Sequence, residues 1–462
     1  MKARRTKLVC TIGPASVERV DELVAAGMDV ARVNFSHGSP AEHEHAVHRV
    51  REAEGVVALL VDLPGPKIRL GDFAAESVTL EAGGTFTLRP GDTRPGDEQG
   101  AHVSYRSLSG DVRAGDRILL ADGAAELRVT SADRDVRTEV VRGGMIRPHA
   151  GVSVPSDRLS QPPLTDADRA ALPRAIELGA EFIAQSFVRT AADVSELRGL
   201  IGPAMTPIVA KIETRRAIDE FDAICGVADA VMIARGDLGV ELPYEEVPIL
   251  QKQLVRRALD LGVPVIVATQ MLESMTASPR PTRAEASDVA NAIFDGADAI
   301  MLSAETAIGQ YPVLAAEAAT RIAELCEAKG AAHLPAGAPP TAETDADALA
   351  FAAVALAGAD KDVAAIGCYT RTGRTARILS SLRPRVPILA FSPDPGVVAR
   401  LALVHGVVPR ACVPPSASDA RIGLMAWLMG EDPSVPRGSA VVLVASTAEP
   451  GTGPNLLEVH RV

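Results

Sequence analysis

Eight short apolar runs, most of them followed by a stretch of helical periodicity, constrain this chain more than any other feature. The runs cover residues 8–12, 30–35, 56–62, 182–187, 207–211, 230–233, 264–269 and 299–302. Helical spacing of apolar residues follows over 17–26, 42–54, 168–178, 247–261 and 283–294. A run that is apolar throughout is a strand buried on both faces, and strands alternating with helices imply a parallel sheet. Eight such units are the number that closes a (β/α)8 TIM barrel. Start and stop signals agree. Ser16 precedes the first helix and Gly27 ends it, and Thr282 with Glu285 three residues on makes a capping box.

The rhythm breaks once. From about residue 70 to 150 the chain turns rich in Gly, Thr, Val and Arg, with short alternating runs at 78–80, 85–88, 117–120, 126–130 and 136–141. These read as antiparallel strands between turn-forming glycines. The expected organisation is a catalytic α/β barrel at 1–69 and 151–335, interrupted at 70–150 by a small inserted β-barrel domain that overhangs the catalytic face as a lid. A Pro/Ala-rich stretch at 331–344 reads as a linker. Beyond it, helical segments at 346–359, 375–382 and 397–405 alternate with strand-like runs at 363–369, 386–391 and 439–444. They predict a C-terminal open α/β regulatory domain at 345–462. The length of 462 residues suits about three domains.

The net charge is −12, and no long basic run is present. Neither nucleic acid nor an anionic membrane surface is therefore expected as a partner. Cys10, Cys225, Cys326, Cys368 and Cys412 stand singly, without metal-ligand spacing, as in a reduced cytoplasmic protein. No apolar stretch approaches the length of a membrane span.

A parallel barrel presents its chemistry at the carboxyl ends of its strands. Lys211-Ile212-Glu213 closes the fifth run, and Ala234-Arg235-Gly236-Asp237 closes the sixth. Two carboxylates with one ammonium between them suit a divalent cation that bridges an anionic substrate. Arg32, Asn34, Ser36 and His37 leave the second run, offering a phosphate-matching fork and oxygens for a small cation. Asp62, Lys67 and Arg69 flank a Gly65-Pro66 turn after the third. Ser186 follows the fourth run, Thr269 the seventh and Ser303 the eighth. Singly, each string is also what a helix cap or a charged loop contains; jointly, they point to an anionic, metal-chelating substrate. His45 and His48 share a helix face, but no carboxylate or cysteine completes a ligand set, so they read as solvated.

These strings resemble the pyruvate kinase family. The match runs from Arg5-Thr-Lys-Leu-Val-Cys-Thr-Ile-Gly-Pro-Ala-Ser16 nearly to the last strand. It is most specific at Lys211-Ile-Glu213 and Ala234-Arg-Gly-Asp237-Leu-Gly-Val-Glu241. Asn34-Phe-Ser-His-Gly38, Ala268-Thr-Gln-Met-Leu-Glu-Ser-Met275 and Pro279-Arg-Pro-Thr-Arg-Ala-Glu285 support it. The resemblance implies a glycolytic phosphotransferase that moves the phosphoryl group of phosphoenolpyruvate to ADP, yielding pyruvate and ATP. It implies Mg2+, with Mn2+ as the alternative ion, held by Glu213 and Asp237. Lys211 would neutralise the phosphoryl and enolate charge, and Arg32 and Ser186 would hold the phosphate. The Ala234-Arg235-Gly236 backbone would hold the carboxylate, with Ser303 nearby, and Thr269 would sit where a proton reaches the methylene carbon.

Asn34, His37 and Arg69 would meet the nucleotide. Asn34, Ser36, Asp62 and Leu63 match a K+ site, and Lys67 stands where many K+-dependent relatives carry Glu. A tethered ammonium paired with Asp62 predicts K+-independent turnover. Ala121-Asp122-Gly123 and Pro148-His149-Ala150-Gly151 depart from the lid pattern, the second lacking a nucleotide-contacting lysine, which predicts weakened ADP affinity. Thr370, Thr372, Gly373, Arg374 and Thr375 join a strand to a helix start and match a sugar-phosphate or nucleotide effector site, completed by a loop at 446–455. The family implies a cytoplasmic homotetramer. A regulatory paralogue without turnover and a barrel lyase are the competing readings; intact Lys211, Glu213 and Asp237 weigh against the first, and the inserted and effector domains against the second.

Overall fold

Strands β1 (Lys7–Thr11), β2 (Val30–Asn34) and β3 (Ala58–Asp62) open a parallel sheet in which every residue except Asn34 is buried. The chain then leaves for eight short strands: β4 (Val78–Leu80), β5 (Thr85–Pro90), β6 (Gly100–Val103), β7 (Arg117–Leu120), β8 (Ala125–Ala132), β9 (Val136–Arg142), β10 (Gly144–Ile146) and β11 (Val152–Ser153). It returns as β12 (Phe182–Gln185), β13 (Ile208–Ile212), β14 (Ala230–Ala234), β15 (Val265–Ala268) and β16 (Ala299–Leu302). The order β1-β16-β15-β14-β13-β12-β3-β2 closes the barrel, with every pairing parallel. This computed structural model describes residues 4–121, 123–155, 158–330, 332–335, 344–414, 420–445 and 455–462.

Side chains alternate across a strand, so both parities of these runs must be apolar for a barrel wrapped in helices. Val9, Val30, Leu60, Ala184, Val209, Met232, Ile266 and Met301 form one packed core. Leu8, Cys10, Val33, Leu59, Ile212, Ile233 and Val267 face the helices in another. The two-residue period then carries Thr11, Arg32, Asp62, Ser186, Lys211 and Ser303 onto the first of these faces, one step beyond its apolar floor. A polar top layer is thereby written into the strands themselves.

The helices correct some expectations. The Ser16 hydroxyl does not cap the first helix; it is buried and accepts from the Gly13 N–H at 3.2 Å. A 3-10 turn (Val17–Arg19) therefore precedes the helix Val20–Ala25. Gly27, at φ +107°, ends it as expected, and the Thr282–Glu285 capping box is formed. The helix Ala191–Ile201 was not anticipated, although Thr190 and Asp193 carry the same box signature.

The inserted strands build a curled six-stranded sheet, β11-β7-β8-β9-β5-β6, and a ribbon β10-β4. Phe86, Leu88, Ile118, Leu120, Leu127 and Val136 give this unit its own core. Not all of it is antiparallel: the unexpected β6 pairs parallel with β5. After the barrel, β17 (Val363–Tyr369), β18 (Ile388–Ser392), β19 (Val407–Ala411), β20 (Ala440–Ala445) and β21 (Leu456–Arg461) order as β19-β18-β17-β20-β21. Only the β20–β21 pairing in this sheet is antiparallel. Ala402 and Leu403 join the inner core of the barrel, so the C-terminal unit is packed against it.

Most of the expected linker (331 and 336–343), lid residue Asp122, and residues 446–454 of the expected effector loop lie outside the described residues. Among the described residues no helix is long and apolar enough to cross a membrane. All five cysteines are free thiols.

Candidate active site

Asp62 is the hinge of the polar layer. Its Oδ2 accepts from Arg32 Nε at 2.8 Å, while Oδ1 lies 3.3 Å from Lys211 Nζ. Arg32 also donates to Thr11 Oγ1 at 2.9 Å, from the end of β1. Lys211 Nζ donates to Ser186 Oγ at 2.7 Å and lies 2.9 Å from Glu213 Oε1. The Ser186 hydroxyl in turn donates to the Leu63 carbonyl at 2.8 Å, and the Phe187 N–H to Glu213 Oε2 at 2.7 Å. Five strand ends are thus locked into one network of ions and hydrogen bonds, with Asp62 and the Glu213 side chain each 1% exposed.

Burial would push the Asp62 carboxyl up, but Lys211 and Arg32 outweigh it and hold it below its ordinary range. Burial opposes the charge of Lys211 too; Asp62, Glu213 and Asp237 overcome this and raise its pKa. For Glu213, burial is reinforced by the charge of Asp237 and only partly relieved by Lys211, so it is pushed up to about 7. The Asp237 carboxylate makes no hydrogen bond or ion pair among the described residues, and it lines the same cleft of about 70 Å³ as Glu213. Asp62 and Glu213 have Arg32 and Lys211 as cationic partners, whereas the Asp237 carboxylate has none among the described residues. Among the described residues no three His, Cys, Asp or Glu converge as a complete ligand set. Two carboxylates with the remaining positions left to substrate and water is how Mg2+ is usually held.

The sixth and seventh strand ends meet at Thr269. Its hydroxyl accepts from the Gly236 N–H at 2.7 Å and donates to the Ala268 carbonyl at 2.6 Å. Thr269 has φ +71°, Gln270 φ +54° and Phe187 φ +54°, left-handed backbone that costs about 1–3 kcal/mol each in non-glycine residues and tends to mark functional sites. A Cβ at Gly236 would lie 3.3 Å from Thr269 Oγ1, so glycine permits this approach. The Arg235 side chain turns away, donating to Asp288 Oδ1 at 2.7 Å and to the Thr269 carbonyl at 2.8 Å. What residues 234–236 can offer a ligand is therefore backbone. The Ser303 N–H donates to the buried Glu305 at 2.7 Å and starts the turn Ala304–Ala307.

Lys67 is not where the sequence suggested. It is exposed and makes no ion pair among the described residues, whereas both Asp62 oxygens are occupied by Arg32 and Lys211. The Gly65-Pro66 turn, with Gly65 at φ +66° and its N–H bonded to Asp168 Oδ1 at 3.0 Å, carries Lys67 past Asp62. Its charge is felt instead at His37, whose pKa is lowered by burial, Arg69, Lys67 and Arg32 in that order. Asn34 Oδ1 accepts from the Ser36 N–H at 3.0 Å, and neither residue joins the Arg32–Asp62–Lys211 network by a hydrogen bond. His45 and His48 are exposed beside Glu18 and Glu52, as a solvated helix face.

Across the cleft, Lys67 and Arg69 face Arg147 and His149 of the inserted unit around a cavity of about 320 Å³. Arg147 escaped the sequence reading, which looked for a cation only next to Gly151; Thr11 escaped because a threonine within an apolar strand carries no signal. In the C-terminal unit, Thr370 is buried and its hydroxyl accepts from the Gly373 N–H at 2.9 Å. Gly373 takes φ +82° ahead of the helix Arg374–Ser381. Thr372 and Gly373 border a cavity of about 240 Å³ with Arg377 and Arg400, while Arg374 is exposed at the helix start beside half-buried Thr375.

A polar layer of this kind at the carboxyl ends of a barrel, beneath an inserted sheet, has counterparts. Residues 3–316 match the family model "Pyruvate kinase, barrel domain", and residues 347–460 match "Pyruvate kinase, alpha/beta domain". The pyruvate kinase of Geobacillus stearothermophilus is 41% identical over 99% of this chain and 80% of its own length. That of Mycobacterium tuberculosis (strain H37Rv) is 42% identical over 99% of this chain and 98% of its own. The crystal structure of a pyruvate kinase from Cryptosporidium parvum superposes with a TM-score of 0.89 at 33% identity, covering 99% of this chain and 96% of that one. The chain belongs to the pyruvate kinase family.

Proposed function

We propose that this enzyme transfers the phosphoryl group of phosphoenolpyruvate to ADP, in line, and then protonates the enolpyruvate to pyruvate. The observation that carries the reading is Lys211, an ammonium 12% exposed and held between Ser186, Asp62 and Glu213 with the unpartnered Asp237 beside them. An oxygen of the ADP β-phosphate attacks phosphorus, the bond from phosphorus to the enol oxygen breaks, and its electron pair stays on that oxygen. Lys211 and Arg32 stabilise the charge that moves from phosphoryl to enolate, so the protein supplies positioning and electrostatics. Glu213 and Asp237 would hold a divalent ion, Mg2+ or Mn2+, which when bound contributes Lewis-acid stabilisation at the phosphoryl and enolate oxygens.

Ser186 orients the Lys211 ammonium and can reach the phosphate. The Ala234–Gly236 backbone, next to Ser303, receives the carboxylate. The Thr269 hydroxyl, held by Gly236 and Ala268, stands ready to relay a water proton to the methylene carbon. Asn34, His37, Arg69 and, from the lid, Arg147 and His149 would receive the nucleotide; their cationic character suits a diphosphate. We assign the enzyme to cytoplasmic glycolysis as a homotetramer, with the 370–375 turn as a phosphorylated-effector site.

K+ independence rests on a modified argument. Lys67 supplies a tethered positive charge that acts on His37 without an ion pair to Asp62, and Asp62 and the Leu63 carbonyl already accept from Lys211 and Ser186. A coupled assay of pyruvate formation from phosphoenolpyruvate, ADP and MgCl2 tests both claims. We expect turnover that EDTA removes, at equal rates in K+ and in tetramethylammonium salts. Strong K+ activation would refute the role of Lys67, and no pyruvate would refute the reaction.

A further inference from the structure

Between the barrel and the C-terminal sheet lies a cavity of about 330 Å³, within the size range of small-ligand sites. Ile293 and Leu334 wall it on the barrel side, and Phe351 and Val354 on the helix Asp345–Ala359. Its titratable side chains are three guanidinium groups, on Arg5, Arg383 and Arg385, and the imidazole of His405.

Arg383 makes this more than an apolar gap. Its side chain is 6% exposed, and its backbone takes φ +51°, a conformation uncommon outside glycine. Nη2 donates to the Gly296 carbonyl at 2.9 Å and lies 3.1 Å from Asp298 Oδ2. Nε and Nη1 are buried with no hydrogen-bond partner among the described residues. Buried N–H groups are nearly always satisfied, and leaving one unmade costs about 1–3 kcal/mol. The other void that Arg383 borders, beside Asp298 and Ser380, measures about 20 Å³ and has room for one water. The larger cavity has room for an anion. Arg5 is already engaged by Glu327 at 3.4 Å, whereas Arg385 is exposed and makes no ion pair among the described residues. His405 is held well below its ordinary pKa by burial and then by Arg383, Arg5 and Lys7, the mark of a positive local field.

We propose that this cavity binds a small organic anion: one carboxylate or phosphate group set against Arg383 and Arg385, with an apolar or aromatic body on Phe351, Val354 and Leu334. Guanidinium forks match either oxyanion, and the apolar wall discriminates against the bare inorganic ion. None of these residues belongs to the phosphoryl-transfer site, so the two readings stand or fall separately.

Isothermal titration calorimetry on the full chain tests the site with phenyl phosphate, benzoate and inorganic phosphate. We expect saturable binding of phenyl phosphate or benzoate, weakened about tenfold or more by Arg383→Gln and severalfold by Phe351→Ala, with inorganic phosphate the weakest ligand. Should Arg383→Gln not fold, Phe351→Ala and Arg385→Gln, both at exposed side chains, carry the test. Affinities unchanged in those two variants, or no binding of either organic anion up to about 10 mM, would overturn the assignment.

Discussion

Asp62 organises the site more than any residue that would touch substrate. A carboxylate 1% exposed is tolerable because two cations share it, and those cations are tolerable because of it. Thr269 is a second such pivot, held in a left-handed conformation that its β-branched side chain resists. If its hydroxyl relays the proton, Thr269→Ala should lower kcat for pyruvate formation about 10²-fold, while Thr269→Ser retains most activity. Single-turnover rates of ATP and pyruvate formation check this, since ATP should then appear before pyruvate; equal loss of both would assign Thr269 a structural part only. At this scale Arg32, Asp62, Ser186 and Lys211 were legible because the two-residue period sets their direction as firmly as that of the valines and leucines before them. The Lys67–Asp62 pair was misread, because five residues of chain containing a tight turn can aim a side chain anywhere, and only the folded loop decides.

Barrel strands were legible to within one or two residues, since burial on both faces forces runs that are apolar below the polar layer. The missed elements lack that pressure. Among them, β6, β10 and β11 are two to four residues long and are defined by their neighbours in the inserted sheet and its ribbon rather than by their own composition. The segment that joins β18 to β19 illustrates packing that no local pattern announces: Ala402 and Leu403 enter the barrel core, and His405 is buried among cations. That burial has a consequence for stability. The folded pKa of His405 lies well below its ordinary 6.5, so the unfolded chain binds the proton first. Stability from this residue is fully present above about pH 6.5 and is lost as pH falls below it, by at most about 1.4 kcal/mol per pH unit. Urea midpoints between pH 7.5 and 5.5 should fall for the wild type and stay flatter by up to one proton in His405→Gln. Parallel curves would mean that the imidazole is not buried in its neutral form.

At the scale of the whole molecule, the chain joins a barrel, an inserted sheet and a C-terminal α/β unit, each with a core of its own. Composition and alternation were enough to foresee that plan, because the all-β period of the insert breaks the strand–helix alternation of the barrel and a Pro/Ala-rich stretch separates the barrel from the second alternating unit. How many copies assemble was not legible, since association depends on surface patches with no periodic signature. We expect sedimentation velocity to give a species of four times the 48.2 kDa chain mass; a lone monomer would contradict the tetramer.

Turnover of Lys211→Met bears most directly on the central claim, that one half-buried ammonium beside two carboxylates carries the charge of phosphoryl transfer. Asp62 keeps Arg32 in this variant, so Mg2+-dependent binding of phosphoenolpyruvate should survive while kcat falls about 10³-fold or more. A variant that makes pyruvate at nearly the wild-type rate would contradict the account.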